Sequence, residues 1–229
     1  YVLCALPKMG FAGVNVTLPH KEHARRLVDR CDDAAVAIGA VNTIVIDTHG
    51  ALAGRNTDAQ GFWAHLVDAS GRAEWSGARA LLLGAGGAAR AALWALRRAG
   101  VDVAIANRSG ARAHALASEF AADAVAWPET PAALGGFDLL VNATSLGMAG
   151  QPPLAIDLSA MADTAVVYDL VYTPLATPLL HAAQARGLVA VDGLGMLIHQ
   201  AAPAFAAWFG IVPAVDAAVR RHLMAALAP

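Results

Sequence analysis

Short apolar segments alternate with helical patterns through the middle of the chain. The segments predicted as strands are residues 80–83, 101–106, 139–141, 165–170 and 189–191. Helices are predicted at residues 111–120 and 178–186, and another helical pattern follows the glycines after residue 83 and ends at Gly100, a typical C-cap. Strands that alternate with helices form a parallel sheet that is covered on both faces. The pattern therefore predicts one α/β domain in this region.

A second set of elements flanks this region on both sides. Before it, strands are predicted at residues 13–17 and 43–46, and helices at residues 22–30 and 59–70. The segment 75–77 then has the composition of a linker. After the region, one helical stripe carries apolar side chains at Leu194, Leu197, Ile198, Phe205 and Trp208, and Pro203 is expected to interrupt or kink that helix. We therefore predict two α/β domains, one of residues 76–192 and a discontinuous one of residues 1–75 and 193–229.

Composition excludes several classes of protein. Among the 229 residues, 57% are hydrophobic and 15% are charged, which is typical of a chain that folds around a large core. The formal net charge of −2 gives no basic field for nucleic acid or an anionic membrane. Mean hydropathy is high at +0.50. However, the longest apolar stretch, residues 196–212, is broken by His199, Gln200 and Pro203, so we interpret it as a buried helix rather than a membrane span.

The cysteines argue against a disulfide framework and against a metal site. The chain has two, Cys4 and Cys31, and neither has a partner at metal-ligand spacing. No metal is therefore expected, and a reducing cytoplasm is the compartment that fits this usage.

A glycine cluster follows the first strand of the middle region. Gly84, Ala85, Gly86, Gly87, Ala88 and Ala89 match the pattern G-x-G-x-x-A. Between a strand and a helix, such a turn lets the backbone approach a pyrophosphate, and the free N–H groups of the helix N-terminus bind it. The alternative is a glycine turn without a ligand. The context favours a Rossmann-like, doubly wound dinucleotide domain at residues 76–192.

The tip of the next strand indicates which dinucleotide is bound. NAD sites usually place a carboxylate there, about 20 residues after the glycines, to hold the ribose 2′-hydroxyl. Here the strand ends in Asn107-Arg108-Ser109, and Arg112 lies one helical turn further on. A guanidinium fork suits a 2′-phosphate, so the sequence predicts NADP(H). Either arginine could instead be ordinary surface charge.

Polar clusters also stand at the edges of apolar elements near the N-terminus. They lie at residues 15–21, 40–43 and 56–58. Singly, each has a simple structural explanation, since Asp58 could cap a helix and Asn42 could shape a turn. Beside a dinucleotide site, however, polar groups that converge in a cleft indicate a small-molecule site.

These clusters carry a resemblance to a known family. Eight motifs occur in family order: N-V-T-x-P-x-K from Asn15, G-A-V-N-T from Gly39, N-T-D-x-x-G from Asn56, the glycine cluster, N-R-S from Asn107, N-A-T-S from Asn142, D-x-x-Y-x-P from Asp169 and D-G-L-G-M-L-x-x-Q-A from Asp192. Together they resemble the shikimate dehydrogenase family from about Gly13 to Gly210. The activity this implies is reversible NADPH-dependent reduction of 3-dehydroshikimate to shikimate, in chorismate and aromatic amino acid biosynthesis.

The resemblance also implies roles for individual residues. Lys21 and Asp58 would be the catalytic pair beside the reacting carbonyl, and which of them gives the proton is left open. The other substrate-binding residues would be Thr17, Asn42, Tyr172 and Gln200, together with Asp58. Cofactor-binding residues would be Gly84, Ala85, Gly86, Gly87, Ala88, Asn107, Arg108, Ser109, Arg112, Thr144, Ser145, Gly193 and Met196. His20 and His199 are alternative acids, but each is more simply explained as an ordinary polar position.

One departure from the family concerns the start of the chain. The family begins with a strand and a serine-containing segment that holds the substrate carboxylate, and nothing before Tyr1 matches them. We expect roughly forty residues of the family's first region to be absent, a little more than the about 30 residues of one βαβ unit.

Other functions remain open at this point. The chain could be a quinate or quinate/shikimate dehydrogenase, a related hydroxy-ketone reductase, or a noncatalytic NADP-binding module. A small-molecule substrate, no nucleic-acid or membrane partner, a monomer or homodimer, and a cytoplasmic location are expected.

Overall fold

The computed structural model describes residues 1–17 and 19–227, and the strands of these residues form two sheets. The strands are β1 (Gly13–Asn15), β2 (Arg30–Cys31), β3 (Thr43–Ile46), β4 (Leu52–Arg55), β5 (Arg79–Leu83), β6 (Asp102–Ala106), β7 (Asp123–Val125), β8 (Leu139–Asn142), β9 (Val166–Asp169) and β10 (Val189–Val191). The helices are α1 (Val2–Ala5), α2 (Lys21–Arg25), α3 (Asp33–Ile38), α4 (Asp58–Ser70), α5 (Gly87–Arg98), α6 (Gly110–Phe120), α7 (Thr130–Ala133), α8 (Pro178–Ala185), α9 (Gly193–Phe209) and α10 (Ala217–Leu227).

The larger sheet is parallel throughout and has the strand order β10-β9-β8-β5-β6-β7. Side chains alternate across it: Leu82 packs into a core with α5, whereas Leu81 and Leu83 pack into a second core with α8. Both faces of the sheet are covered by hydrophobic cores, which explains why its central strands are continuous apolar runs. From β5 the chain continues to β6 and β7 on one side of β5, and it then crosses to β8 on the other side. The sheet is therefore doubly wound and has a crevice at the tips of β5 and β8.

The smaller sheet has four strands in the order β1-β3-β4-β2. β3 pairs antiparallel with both of its neighbours, and β2 pairs parallel with β4. Its core contains the buried residues Ala24, Ala35, Val41, Ile44 and Leu52. The prediction of two α/β units is therefore confirmed by the two sheets, whereas the limits 1–75, 76–192 and 193–229 stay a prediction.

Helices α4 and α9 join the two sheets through a close contact. A Cβ added to Gly61 of α4 would lie 2.6 Å from the backbone nitrogen of Gln200 in α9. Phe62 and Leu66, also on α4, are fully buried in the same core as the larger sheet. The helix that begins at Asp58 is thus packed on both sides, and the position of its first turn is well determined.

Three predictions about local structure were wrong. The helix predicted at residues 22–30 ends at Arg25, because Asp29 exchanges hydrogen bonds with Leu52 and draws the chain into the smaller sheet. The segment 75–77 is not a free linker, since Trp75 is 1% exposed and belongs to the core of the larger sheet. Pro203 does not interrupt α9, which runs through it from Gly193 to Phe209, so that part of the prediction was wrong, whereas a kink at Pro203 stays a prediction.

Some elements were not predicted at all. They are the strands β2, β4 and β7 and the helices α1, α3, α7 and α10. The three strands are short, so their formation depends on pairing with neighbouring strands of the fold. Among the described residues, none of the helices has the length and apolar character that crossing a membrane would require.

A buried histidine lies at the contact between α4 and α9. His65 is 6% exposed, and its Nδ1 atom lies 3.0 Å from the Tyr168 hydroxyl in β9. A Cβ added to Gly195 would lie 2.0 Å from the His65 ring, so the glycine is required by the packing. Burial lowers the pKa of His65 from 6.5 to about 4, so the ring is neutral in the folded protein at neutral pH.

His65 should therefore make the fold sensitive to acid. Because the pKa is lower in the folded protein, the unfolded chain binds more protons as pH falls from 6.5 to about 4, and stability is lost across that window. The loss attributable to His65 should approach about 3 kcal/mol. Urea unfolding at pH 7 and pH 4 should show a smaller loss for His65→Gln than for the unsubstituted protein. His114→Gln, at an exposed position, is the control and should change nothing. Equal pH dependence for His65→Gln and the control would contradict this account.

Candidate active site

A buried ion pair connects the first turns of two helices of the smaller unit. The Nζ atom of Lys21, the first residue of α2, lies 2.6 Å from Oδ2 of Asp58, the first residue of α4. The two side chains are only 15% and 7% exposed. Neither charge could be buried alone without a large desolvation cost, so each side chain holds the other in place.

Asn42 holds the other oxygen of the Asp58 carboxylate. Its Nδ2 donates to Asp58 Oδ1 and to Thr57 Oγ1, both at 2.9 Å, and lies 3.2 Å from Gln200 Oε1. Its Oδ1 accepts from the Thr57 backbone N–H at 2.9 Å. Asn42 is 2% exposed. Because both the nitrogen and the oxygen of its side-chain amide form hydrogen bonds, Asn42 fixes the orientation of Asp58 and connects it to α9.

A second asparagine, Asn56, stabilises the start of α4. Asn56 Oδ1 accepts from the backbone N–H of Asp58 at 3.1 Å, and Asn56 Nδ2 donates to the carbonyl of Ala40 at 2.9 Å. The Val41 backbone N–H donates to the carbonyl of Lys21 at 2.9 Å. The segment before Asn42 is therefore bonded both to the start of α4 and to the start of α2.

A separate polar network lies at the tips of β8 and β9. Asp169 is fully buried and accepts from Asn142 Nδ2 at 2.8 Å and from Thr177 Oγ1 at 2.7 Å. Burial raises the pKa of this carboxyl, and these hydrogen bonds partly offset that effect. Asn142 Oδ1 in turn accepts from the Thr144 hydroxyl at 2.7 Å. These hydrogen bonds fix the position of the loop after β8. The loop nevertheless has polar side chains that are accessible to solvent.

One cleft of about 440 Å³ lies between these two networks. From the smaller unit it is lined by Asn15, Val16, Thr17, Lys21, Asn42 and Asp58. From the larger unit and from α9 it is lined by Ala88, Ala143, Thr144, Ser145, Met148, Leu170, Val171, Tyr172, Thr173, Gly193, Met196, Leu197 and Gln200. Every residue predicted to bind substrate lies on this cleft, together with five of those predicted to bind the cofactor: Ala88, Thr144, Ser145, Gly193 and Met196.

The glycine turn lies next to the ion pair. Gly84 has a φ of +115°, and a Cβ added there would lie 2.9 Å from the Ala143 carbonyl, so a side chain at this position would be strained. Gly86 is the N-cap of α5, and an added Cβ would meet nothing within 4 Å. A Cβ added at Gly87 would lie 3.8 Å from Lys21 Cδ. The N-terminus of α5 is therefore open and lies beside Lys21, as expected for a phosphate-binding turn.

The remaining predicted cofactor residues lie at the tip of the next strand, β6. Ser109 is the N-cap of α6, and Asn107 Nδ2 donates to its carbonyl at 3.1 Å. Arg108 is exposed. Arg112 is also exposed, and its Nη2 donates to the Ala85 carbonyl at 3.1 Å across the glycine turn. Two cations beside the starts of α5 and α6 form a site that fits a phosphate-bearing dinucleotide.

The two histidines considered as acids lie outside the cleft. His20 is exposed, and His199 is half-buried with its ring 5.9 Å from that of His65. Burial lowers the pKa of His199. Sequence reasoning missed Met148, an apolar side chain of the cleft that is 40% exposed. An exposed methionine in a loop carries no signal of its own, so only its proximity to Thr144 and Ser145 could have indicated it.

Three family models match successive parts of the chain. They describe the shikimate dehydrogenase substrate binding domain at residues 2–44, shikimate/quinate 5-dehydrogenase at residues 67–149 and the shikimate 5′-dehydrogenase C-terminal domain at residues 193–223. The chain is 55% identical to the shikimate dehydrogenase (NADP⁺) of Methylobacterium radiotolerans, over 97% of this chain and 81% of that protein.

Solved structures show the same arrangement. The shikimate 5-dehydrogenase of Thermus thermophilus, solved with NADP(H) and shikimate, superposes with a TM-score of 0.85 at 39% identity, over 99% of this chain and 83% of that one. The quinate dehydrogenase of Corynebacterium glutamicum, solved with NAD, superposes with a TM-score of 0.89 at 35% identity, over 98% of this chain and 81% of that one.

The fold and the cleft define a two-domain, dinucleotide-dependent α/β oxidoreductase. Within that class, this chain belongs to the shikimate dehydrogenase family.

Proposed function

We propose that this chain catalyses the reversible NADPH-dependent reduction of 3-dehydroshikimate to shikimate. The observation that carries the proposal is the buried Lys21–Asp58 pair, which opens on the same cleft as the fixed loop after β8 and the N-terminal part of α9. A carbonyl reduction needs a proton or a positive charge at the carbonyl oxygen and a bound nicotinamide at the carbonyl carbon. The cleft of about 440 Å³ is large enough for the substrate and the nicotinamide. We further propose that the protein is cytoplasmic, acts as a monomer or homodimer and has no nucleic-acid partner.

The residues of the larger unit would hold NADP(H). The pyrophosphate would bind at the start of α5, beside Gly84 to Ala88, and the 2′-phosphate beside Arg108, with Arg112, Asn107 and Ser109 around it. Thr144, Ser145, Gly193 and Met196 line the cleft where the nicotinamide half would lie. When bound, this group supplies the hydride that reduces the carbonyl carbon. The rest of the reaction falls to the protein's own side chains.

Lys21 is placed to act at the carbonyl oxygen. Its ammonium group has three donors, and only one is needed for Asp58 Oδ2, so the others can donate into the cleft. Negative charge that develops on the oxygen would be stabilised by this fixed cation. Asp58 is held by Asn42 on its other oxygen, so it keeps Lys21 in place and can share the proton. The two groups are coupled, so the proton is best assigned to the pair.

The substrate hydroxyls would be bound by neighbouring polar groups. Gln200 Nε2 donates to its own helix at the Leu197 carbonyl, and its Oε1 faces Asn42, so its amide is oriented at the edge of the cleft. Thr17 is exposed, and Tyr172 is 39% exposed, on opposite sides of the opening. We propose that Thr17, Asn42, Asp58 and Gln200 bind ring hydroxyls and that Tyr172 binds the substrate carboxylate.

The activity itself is tested by initial rates of NADP⁺ reduction. Shikimate with NADP⁺ should give the highest kcat/KM. Quinate and NAD⁺, the ligands of the alternative dehydrogenase, should each give a lower value. A higher value for quinate with NAD⁺ would contradict the proposal, and so would the absence of turnover with every pair.

The catalytic pair is tested by replacing each member. General acid catalysis contributes about 10²–10⁴-fold to rate, so Lys21→Ala should lower kcat by that factor and change KM for shikimate less than about tenfold. Asp58→Asn should lower kcat similarly and can also raise KM, and the double variant should be far from additive. Lys8→Ala, outside the cleft, is the control. If Lys21→Ala raises KM strongly while kcat stays within a few fold, Lys21 only anchors the substrate.

Cofactor preference is tested at Arg108. A charge-assisted bond to a 2′-phosphate contributes about 1.5–3 kcal/mol, or about ten- to hundredfold in affinity. Arg108→Ala should therefore weaken NADP⁺ binding by that factor and leave NAD⁺ binding nearly unchanged, as measured by fluorescence titration. Arg98→Ala, an exposed arginine that stacks on Trp94, should affect neither. Equal weakening for both cofactors would assign Arg108 a structural role.

A further inference from the structure

One arginine outside the cleft bridges the two units. Arg90 of α5 donates through Nε to the carbonyl of Ile38, the last residue of α3. Its Nη1 donates to Glu119 Oε2 of α6 at 2.8 Å, and its Nη2 donates to the other carboxylate oxygen. The Arg90 side chain is 16% exposed. It therefore connects α5 and α6 of the larger unit to the backbone of the smaller one.

The bridge depends on the shape of a guanidinium group. Three N–H groups in one plane reach a carbonyl on one edge and both oxygens of a carboxylate on another, which a lysine ammonium cannot reproduce. The carbonyls at the end of α3 lack helical partners and favour a positive charge. The Arg90 guanidinium, followed by the charge of Arg25, holds the pKa of Glu119 below its usual range.

The backbone that Arg90 holds leads directly to the active-site groups. Four residues after Ile38 comes Asn42, which orients Asp58. Between them, the Val41 N–H donates to the Lys21 carbonyl at 2.9 Å, and the Ala40 carbonyl accepts from Asn56. A shift of the Ile38 carbonyl would therefore be transmitted to both members of the ion pair.

The backbone of Arg90 lies one helical turn after the phosphate-binding turn at the start of α5. The Arg90 backbone N–H donates to the Gly86 carbonyl at 3.0 Å, and the position of Gly87 faces Lys21. The start of α5 and the segment 38–42 are thus tied together by one side chain. Arg90 itself does not line the cleft among the described residues, so it is not placed to contact a substrate or a nicotinamide bound there.

We propose that Arg90 is a positioning residue that sets the distance between the phosphate-binding start of α5 and the Lys21–Asp58 pair. Its consequence for turnover rests on the proposed function, whereas its effect on the backbone at 38–42 does not. Without the bridge, the cofactor would still bind to the larger unit, but the hydride donor and the proton donor would no longer be held at one fixed separation.

The kinetic test uses Arg90→Gln and Arg90→Lys, with direct titration of NADP⁺. A misplacement of about 1 Å can cost as much as about 10²-fold in rate, so Arg90→Gln should lower kcat about tenfold or more. The dissociation constant of NADP⁺ should change less than about threefold, since Arg90 makes no part of the phosphate site. Arg90→Lys should recover little of the lost rate, and Glu119→Gln, which keeps the Ile38 contact, should lose less than Arg90→Gln does.

Arg97→Gln is the matched control, because Arg97 lies on the same helix and makes only an exposed 3.6 Å ion pair with Asp102. It should leave kcat unchanged. Unchanged kcat in both Arg90→Lys and Arg90→Gln would overturn the proposal, and so would an equal loss of kcat and of NADP⁺ affinity. If Arg90→Gln does not fold, unchanged kcat in both Arg90→Lys and Glu119→Gln overturns it.

A readout without turnover separates this proposal from the proposed function. Hydrogen exchange of the Val41 amide should be faster in Arg90→Lys than in Arg97→Gln, because the segment 38–42 loses its anchor. Unchanged exchange would overturn the proposal even if the protein is active. An inactive unsubstituted protein with faster exchange in Arg90→Lys would overturn the proposed function instead and leave the bridge supported.

Discussion

The arrangement of this protein depends on one buried ion pair. Lys21 and Asp58 are both removed from most of the solvent, and each charge is tolerated because the other lies 2.6 Å away. The pair is then restrained from outside: Asn42 binds the free carboxylate oxygen, and Asn56 binds the backbone at the start of α4. Lys21 and Asn42 lie 37 and 16 positions before Asp58 in the chain, so the site exists only when the smaller sheet is complete.

The second constraint is the position of the strand tips of the parallel sheet, where the cleft opens. A doubly wound sheet opens at the tips of the two adjacent strands where the strand order reverses, and here these strands, β5 and β8, carry the glycine turn and the loop of Thr144 and Ser145. Asp169 and Asn142 hold that loop from within the core. Helices α4 and α9, which are in close contact at Gly61, then place the ion pair opposite. The cleft is a consequence of both constraints together.

Much of the larger sheet could be predicted from the sequence, because its strands β5, β6, β8 and β9 are almost entirely buried and read as continuous apolar runs. The strand at 189–191 agrees residue for residue, and the one at 139–141 is extended only by Asn142. In contrast, β4 contains Gly54 and has little intrinsic strand preference; it forms because β3 pairs with it. The helix predicted to reach Arg30 was wrong for the same reason, since a sheet partner at Leu52 overrides local preference.

The polar motifs predicted which residues meet in the cleft, since Lys21, Asn42, Asp58 and Gln200 all line it. Their individual roles stay predictions. The sequence could not show that Asn42 would contact Gln200, 158 positions away, or that Arg90 would turn inward to the Ile38 carbonyl. On the pattern of α5 alone, Arg90 is an ordinary charge on a helix. Such bridges depend on how two units pack, which local periodicity does not encode.

The central claim is that one cleft places the reacting carbonyl between the Lys21–Asp58 pair and the nicotinamide. A crystal structure of the protein with NADP⁺ and shikimate bound tests it most directly. The account predicts that the hydroxyl to be oxidised lies within hydrogen-bonding distance of Lys21 Nζ or of the Asp58 carboxylate, with its carbon facing the nicotinamide ring. Shikimate bound with that carbon turned away from Lys21, or a nicotinamide outside the cleft, would contradict the account.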